Sequence, residues 1–267
     1  MTAAFAFIGA GNMGAAMARA VLQSQAAPPD GLLLVDPDEA KTAPFRAMGC
    51  LTAQTPGKEL SGAGLVVLAV KPQSAPQVLP GLAPWLTPPT VVVSIMAGVR
   101  LESLQGWLGH RRVARAMPNT PAQVGSGMSV YFPDESIGGE GLARVEQLLT
   151  ACGQVLRVNV ETAIDAATAV SGSGPAYLFY LAEHWMKAAV NLGFSPVEAE
   201  QLVSQTLLGA VRLWQADGRP VEALRQSVTS KGGTTAAALA WFESQHLGEG
   251  LQEGIQKAFE RAGELAG

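Results

Sequence analysis

Short apolar runs alternate with stretches of helical periodicity through the first part of the chain. The continuous runs Leu65–Val70 and Val91–Ile95 have the composition of strands buried on both faces of a parallel sheet. The other predicted strands are Ala4–Ile8, Leu32–Val35, Val113–Met117, Ser129–Phe132 and Val155–Val160, with helices over Met13–Gln23 and Arg144–Cys152. This βαβ alternation predicts an α/β doubly wound sheet over residues 1–160.

Beyond Glu161 the strand signals stop and the apolar positions follow a helical period. Thr162–Leu192 is interrupted only by Ser171–Pro175, and Ser195 with Glu198 has the spacing of a helix capping box. Residues 161–267 are therefore predicted to form an all-helical domain. Because this part is short and strongly apolar, we expect it to bury its hydrophobic faces against a second copy of the chain.

Composition argues against two other classes of protein, membrane proteins and nucleic-acid-binding proteins. Hydrophobic residues make up 48% of the chain and charged residues 15%, yet no apolar run reaches the roughly 18 residues of a membrane span. The net charge of −4 and the absence of a basic cluster argue against nucleic-acid binding. Cys50 and Cys152 lie far apart and the three histidines lack ligand spacing, so we expect no metal site and a cytoplasmic protein.

The first predicted strand is followed by a glycine loop that opens a helix. In such a loop Gly9 permits the tight turn, Gly11 lets a pyrophosphate approach the backbone, and Gly14 allows close helix–sheet packing. The helix N-terminus offers free amides to the phosphates. The candidate cofactor-binding residues here are Gly9, Ala10, Gly11, Asn12, Met13 and Gly14. The loop predicts a nicotinamide-dependent oxidoreductase.

Asp36 ends the second predicted strand, about 20 residues beyond the glycine loop, where an acidic residue accepts the ribose 2′-hydroxyl of NAD. A 2′-phosphate there would meet like charge, which favours NADH over NADPH. The alternative is that Asp36 only shapes the turn Asp36–Asp38.

Three further strand ends are predicted to meet at the same edge of the sheet. Lys71 would contact cofactor phosphate or substrate carboxylate there, or be an ordinary solvated lysine at a strand end. Small residues at Met96–Gly98 would let a dinucleotide lie close, and Met117–Pro121 forms a proline-bounded loop. The candidate cofactor-binding residues from these segments are Ala69, Val70, Lys71, Pro72, Ala97 and Asn119.

The segment Val228–Thr235 precedes a predicted helix. Its glycines can form a nest of amide donors for a small carboxylate, and its hydroxyls add neutral donors. A plain helix–helix turn is the alternative. The candidate substrate-binding residues are Gly232, Gly233, Thr234 and Thr235, with Thr235 and Ser230 as candidate catalytic hydroxyls.

Together these motifs resemble the pyrroline-5-carboxylate reductases of proline biosynthesis. The segments that resemble the family are Phe7–Met13, Ala69–Gln73, Met117–Pro121, Ser171–Tyr177 and Thr229–Thr235. The resemblance implies a Rossmann domain followed by a helical dimerisation domain, in a dimer that assembles further in some members into rings of five dimers. Lys231 stands where many members have proline, and many members prefer NADPH, against the NADH that Asp36 favours.

The resemblance also implies the chemistry. NAD(P)H would reduce the cyclic imine L-1-pyrroline-5-carboxylate to L-proline, with the Gly232–Thr235 loop of the partner subunit holding the substrate carboxylate and Thr235 facing the ring nitrogen. Two alternatives stay open. One is a β-hydroxyacid dehydrogenase, for which Lys187 would be the catalytic lysine although the family's surrounding motif is missing. The other is a non-catalytic NAD(H) sensor.

Overall fold

The computed structural model describes residues 3–265. Its eight strands are β1 (Phe5–Ile8), β2 (Leu32–Val35), β3 (Leu51–Ala53), β4 (Leu65–Leu68), β5 (Val91–Ser94), β6 (Val113–Met117), β7 (Gly127–Pro133) and β8 (Gly153–Arg157). They form one sheet in the order β3-β2-β1-β4-β5-β6-β7-β8. The reversal of strand order beside β1 gives the doubly wound topology that the alternation predicted.

The sheet is mixed, and its antiparallel pair was not predicted from the sequence. β1 pairs parallel with β2 and β4, and the parallel ladder continues through β5 to β6. β7 then pairs antiparallel with β6, while β8 pairs parallel with β7. The reason is the connection between β6 and β7, which contains only the short 3₁₀ turn Thr120–Val124. A parallel partner would need a crossover of a dozen or more residues.

Eleven α-helices follow the strands or form the second half of the chain within residues 3–265. They are α1 (Asn12–Gln23), α2 (Glu39–Ala47), α3 (Ala75–Val78), α4 (Leu101–Leu108), α5 (Gly139–Thr150), α6 (Ala163–Ala167), α7 (Gly174–Asn191), α8 (Pro196–Asp217), α9 (Val221–Ser227), α10 (Thr234–Ser244) and α11 (Leu247–Leu265). The 3₁₀ turns are Pro29–Gly31, Lys58–Gly62, Pro72–Ser74, Leu79–Trp85 and Thr120–Val124. α8 begins with the predicted capping box between Ser195 and Glu198.

The sheet has a hydrophobic core on each face, because successive side chains of a strand point to opposite sides. Phe5 and Phe7 of β1 belong to the core that α1 and α5 cover. Ala6 and Ile8 belong to the opposite core, which α4 covers. Burial on both faces explains why these strands are continuous apolar runs.

The predicted interruption of the helix at Ser171–Pro175 is observed, because α7 begins only at Gly174 and Ser173 lies outside both helical segments. Residues Thr168–Gly172 form a single π-helical turn between α6 and α7, closed by the amide of Ser173, which donates to the carbonyl of Thr168 at 2.8 Å. Small residues tolerate this widened turn, and such turns are frequent at functional sites.

The chain divides into two compact units. The sheet unit runs to Pro175 and takes up the chain again at Ala258, while the helical unit comprises Ala176–Lys257. The sheet unit thus extends beyond the boundary predicted near residue 160. Its extra residues are tied to β6 by charge, because the buried Arg115 donates to Glu161 at 2.7 Å and to Asp165 at 3.2 Å.

Candidate cofactor and substrate site

The glycine loop lies where three strand ends meet at the carboxyl edge of the sheet. The amide of Gly9 donates to the carbonyl of Val35 at 2.8 Å, and the amide of Ala69 donates to that of Ile8 at 2.8 Å. Gly9 has φ +103°, and a Cβ there would lie 2.6 Å from the carbonyl oxygen of Ala69. A side chain at this position is excluded by both conformation and space.

The other two glycines of the loop have opposite surroundings. A Cβ on Gly14 would collide with the carbonyl of Gly9 and lie 2.9 Å from the Ala69 methyl group, so α1 approaches β4 closely. A Cβ on Gly11 would have nothing within 4 Å. Gly11 is also the N-cap of α1 and has no side-chain cap hydrogen bond among the described residues. The first-turn amides therefore face open space, which suits a pyrophosphate.

Asp36 follows β2 and its carboxylate is already bonded to three donors. The amide of Ala10 donates to Oδ2 at 2.9 Å, the amide of Asp38 donates to Oδ1 at 3.0 Å, and Lys41 Nζ lies 3.3 Å from Oδ1. Burial raises the pKa of Asp36, but these hydrogen bonds outweigh it and hold the pKa below its ordinary value of 3.8. The carboxylate therefore orients the glycine loop, in addition to any contact with a ribose.

The ends of β4 and β5 lie beside the glycine loop. Lys71 is exposed, whereas Ala69 and Val70 are half-buried, and Pro72 begins a 3₁₀ turn. After β5, Gly98 has φ +71° and a Cβ there would lie 2.6 Å from the carbonyl oxygen of Leu265, at the end of α11. The loop that includes Ala97 is thus packed from behind by the last turn of α11.

Asn119, predicted to contact the cofactor, joins two segments of the protein in this structure. Its Nδ2 donates to the carbonyl of Ser171 at 3.0 Å and its Oδ1 accepts from the amide of Met128 at 2.8 Å. One side chain thereby links the loop after β6, the first residues of β7 and the π-helical turn. A cofactor contact through Asn119 stays a prediction.

The Val228–Thr235 segment of the helical unit forms a turn between α9 and α10. Thr234 and Thr235 are the first two residues of α10, and the N-cap is Gly233, which has no side-chain cap hydrogen bond among the described residues. The amide of Gly233 donates to the carbonyl of Ser230 at 3.0 Å, and Gly232 has φ +73°. A glycine cap leaves the first amides of α10 available to an anion, because no side chain satisfies them.

The structure brings most of the predicted residues together and leaves one group in the other unit. The glycine loop, Asp36, Ala69–Pro72, Ala97 and Asn119 all belong to the carboxyl edge of the sheet unit. Ser230 and Gly232–Thr235 belong to the helical unit. Lys41 was not predicted, although its position in the first turn of α2, just after the predicted ribose-binding aspartate, was a usable signal.

Residues 3–265 contain no group of three or more histidine, cysteine, aspartate and glutamate side chains placed to hold a metal ion. None of the described helices has the length and apolarity needed to cross a membrane.

Comparison with family models divides the chain in two. A model described as NADP oxidoreductase, coenzyme F420-dependent, matches residues 4–98, which include the glycine loop and the ends of β2, β4 and β5. A model described as pyrroline-5-carboxylate reductase dimerisation matches residues 161–265. The second match begins where the strand signals of the sequence stop.

Individual relatives match over almost the whole chain. The pyrroline-5-carboxylate reductase of Pseudomonas aeruginosa is 39% identical over 91% of this chain and 89% of its own length. The structure of the enzyme from Coxiella burnetii superposes with a TM-score of 0.92 at 35% identity and covers 100% of both chains. The NADP-bound structure of the Plasmodium falciparum enzyme superposes with a TM-score of 0.90 at 26% identity and covers 98% of both chains.

Proposed function

The chain belongs to the pyrroline-5-carboxylate reductase family, and from that premise we propose that it reduces L-1-pyrroline-5-carboxylate to L-proline with NAD(P)H, the last step of proline biosynthesis. The observation on which this rests is the near-complete match to reductases of that name, joined to a glycine loop whose Gly11 side is open. NAD(P)H binding follows from the oxidoreductase family model and from the NADP-bound relative.

The sheet unit is proposed to hold the cofactor. The reduced nicotinamide, when bound, supplies a hydride to the carbon of the C=N bond, and the nitrogen of the pyrroline ring takes up a proton. The amides at the start of α1 bind the pyrophosphate, while Lys71 faces the same edge as a cation. The Ala97 loop lies against the nicotinamide, and its backing by Leu265 limits the positions that the loop can take.

The Gly232–Thr235 loop is proposed to hold the substrate. The free amides at the glycine-capped start of α10 bind the carboxylate, and the half-buried Thr235 hydroxyl orients the ring nitrogen. Ser230, whose Oγ occupies the space that a Cβ on Gly233 would need, donates to the same carboxylate. A protonated cyclic imine accepts hydride readily, so positioning by these groups can supply about 7–11 kcal/mol of the rate acceleration.

Replacement of Thr235 tests this assignment. Thr235→Ala is expected to lower kcat/KM by roughly 100-fold, the lower end for a positioned proton-transfer group, while Thr235→Ser keeps the hydroxyl and most of the activity. Steady-state kinetics with both variants measure the effect. Unchanged kcat/KM in Thr235→Ala would remove the residue from the mechanism.

We propose that two copies of the chain are needed for the site, with the loop of one copy completing the cofactor edge of the other. The support is the large exposed apolar surface of the helical unit, where Phe179 is 66%, Trp185 is 42% and Trp241 is 65% exposed. Surfaces of this kind mark association sites. Further assembly into rings of five dimers is part of the proposal, and sedimentation of the 27.7 kDa chain measures it.

NADH is the proposed preferred cofactor, because Asp36 and Asp38 place two carboxylates at the ribose end against one lysine, Lys41. The free cysteines Cys50 and Cys152 are both buried, which is compatible with the proposed cytoplasmic location.

The experiment that tests the function is a turnover assay with pyrroline-5-carboxylate and either NADH or NADPH, followed at the absorbance of the reduced cofactor. Oxidation of neither cofactor would refute the assignment, and the ratio of the two rates measures the preference.

A further inference from the structure

At the end of β2, the sequence suggests that a ligand meets the carboxylate of Asp36, whereas the structure places the cation of Lys41 there. Asp36 is only 5% exposed, and its two oxygens accept from Ala10, Asp38 and Lys41. A carboxylate has about four acceptor positions, so three are in use. Two side chains reach solvent at this point, Asp38 at 53% and Lys41 at 46% exposed, and Lys41 is the cation of the two.

Lys41 is held at this place by one hydrogen-bonded ion pair and one longer ion pair. Its Nζ lies 3.3 Å from Asp36 Oδ1 and 3.8 Å from Asp38 Oδ2. Both contacts are to carboxylates, and 46% of the lysine side chain is exposed to solvent. A half-exposed ion pair of this kind contributes at most about 1 kcal/mol. Lys41 can therefore exchange one carboxylate for another anion at little cost.

In dinucleotide-binding folds the 2′-position of the adenosine ribose lies at the acidic residue that ends the second strand, and a neighbouring cation accommodates a 2′-phosphate. In this chain the acidic residue at the end of the second strand is Asp36, so its carboxylate marks where the 2′-position would lie. Lys41 Nζ lies within hydrogen-bond distance of that carboxylate, and so within reach of a 2′-phosphate.

The neighbouring cations are engaged elsewhere. Arg19 lies over the ring of Phe45, 5.2 Å from its centroid, and Arg46 Nε donates to Thr52 Oγ1 at 2.9 Å. Glu39 accepts from Gln54 at 2.7 Å and adds a further negative charge near α2.

From this arrangement, and on the basis of the proposed function, we propose that Lys41 determines whether the enzyme accepts NADPH, by turning from Asp36 and Asp38 to the 2′-phosphate of that cofactor. With NADH bound, Lys41 stays paired with the two carboxylates, and its charge is neutralised. Asp36 keeps its bond to the Ala10 amide in both cases, so the glycine loop is unchanged. NADPH thus binds through the cation of Lys41, and its binding breaks the ion pairs of Lys41 with Asp36 and Asp38.

The test is a binding titration of the intact protein with NADPH and NADH, without imine substrate, by calorimetry. In Lys41→Gln the dissociation constant for NADPH should rise about tenfold, the lower range for a charge-assisted hydrogen bond, and that for NADH less than about twofold. Asp38→Asn should tighten NADPH about two- to threefold by removing a like charge. Adenosine 2′,5′-bisphosphate and 5′-AMP, used as competitors, should show the same selectivity.

Arg111→Gln is the matched control. Arg111 is exposed just before β6, at the amino end of the strand and thus at the opposite edge of the sheet. Arg111→Gln removes the same charge as Lys41→Gln, and it should leave both dissociation constants unchanged. Equal weakening of NADPH and NADH in Lys41→Gln, or the same NADPH loss in Arg111→Gln, would overturn the proposal. Since no imine is present, failure of the turnover assay would leave this result intact, and failure to bind either dinucleotide would refute the proposed function itself.

Discussion

The sheet unit and the helical unit differ in how completely each buries its own apolar side chains. Every residue of β1, β2, β4 and β5 is buried. In the helical unit, α10, all of whose residues the structure describes, has no buried residue, and among the 18 residues of α7 only Ala189 is buried. The sheet unit buries these strands within a single chain, whereas the helical unit leaves large apolar side chains exposed, as surfaces for self-association do.

The largest expected effect is a loss of stability in the sheet unit when a buried ion pair is removed. Arg115 is 1% exposed and pairs with Glu161 and Asp165, so Arg115→Ala would remove a buried cation, leaving Glu161 without its ion-pair partner and Asp165 paired with Arg100 alone. The free energy of unfolding should fall by about 3–5 kcal/mol. Urea denaturation measures it, with Arg261→Ala as control, since Arg261 forms an exposed pair with Glu264 worth less than about 1 kcal/mol. Equal losses in both variants would show that the buried network does not hold the unit together.

A charge on the helical unit should break association without disturbing the sheet unit. Phe179 on α7 is 66% exposed, and burying a glutamate there in a dimer would cost about 2 kcal/mol or more. Phe179→Glu should therefore raise the dimer dissociation constant about 30-fold and lower turnover in parallel, while NADH binding persists. Sedimentation and calorimetry separate the two effects. Lys58→Glu, an exposed change in the sheet unit, is the control, and a Phe179→Glu protein that remains dimeric would contradict the role given to α7.

Asp36 gives a smaller effect with a defined pH dependence. Asp36→Asn should lower the free energy of unfolding by about 1 kcal/mol at pH 7, because the charge-assisted bonds to Ala10 and Lys41 weaken. The pKa of Asp36 lies below its ordinary value of 3.8 in the folded protein, so its stabilisation is fully present above that value and declines as pH falls through the lower folded-state pKa. Urea denaturation from pH 7 to pH 3 should show the two proteins converging in acid. A constant difference would mean that the charge of Asp36 is not the cause.

The smallest expected effect concerns Lys187, the lysine that a β-hydroxyacid dehydrogenase would use. Its side chain is 61% exposed and pairs with Glu183 four residues earlier at 2.6 Å. Lys187→Ala should change the free energy of unfolding by about 0.5 kcal/mol or less and leave kcat/KM for the imine unchanged. A steady-state comparison with Lys58→Ala, a change at an exposed lysine of the sheet unit, measures this, and loss of turnover in Lys187→Ala alone would revive the dehydrogenase hypothesis.

The sheet could be predicted from the sequence because its strands are buried on both faces. β2 and β6 were predicted with their observed bounds, because β2 is a continuous apolar run and β6 is apolar except for Arg115. β3 was missed because its three residues are all half-buried and leave no apolar run. α2 was missed because Pro44 lies inside it, and the antiparallel β7 depends on a short connection that periodicity does not reveal.

The site could be predicted only as far as its residues belong to local motifs. The glycine loop and the Gly232–Thr235 loop each precede a helix, and both were recognisable from that order. The bonds of Asn119 to Ser171 and Met128 depend on folding of distant segments, as does the pairing of Asp36 with Ala10. No pattern along the chain predicts such contacts.

The central claim is that a complete site takes its cofactor edge from one chain and its Thr235 loop from another, and mixing two inactive variants tests it most directly. A Cβ on Gly11 would meet no atom within 4 Å, so Gly11→Val fills the open side of the glycine loop, and Thr235→Ala removes the hydroxyl. If sites are shared between copies, random dimers of the co-expressed variants contain about one native site in four. The account predicts that co-expression restores about a quarter of the wild-type turnover. Activity no higher than that of the separate variants would show that each site lies within a single chain.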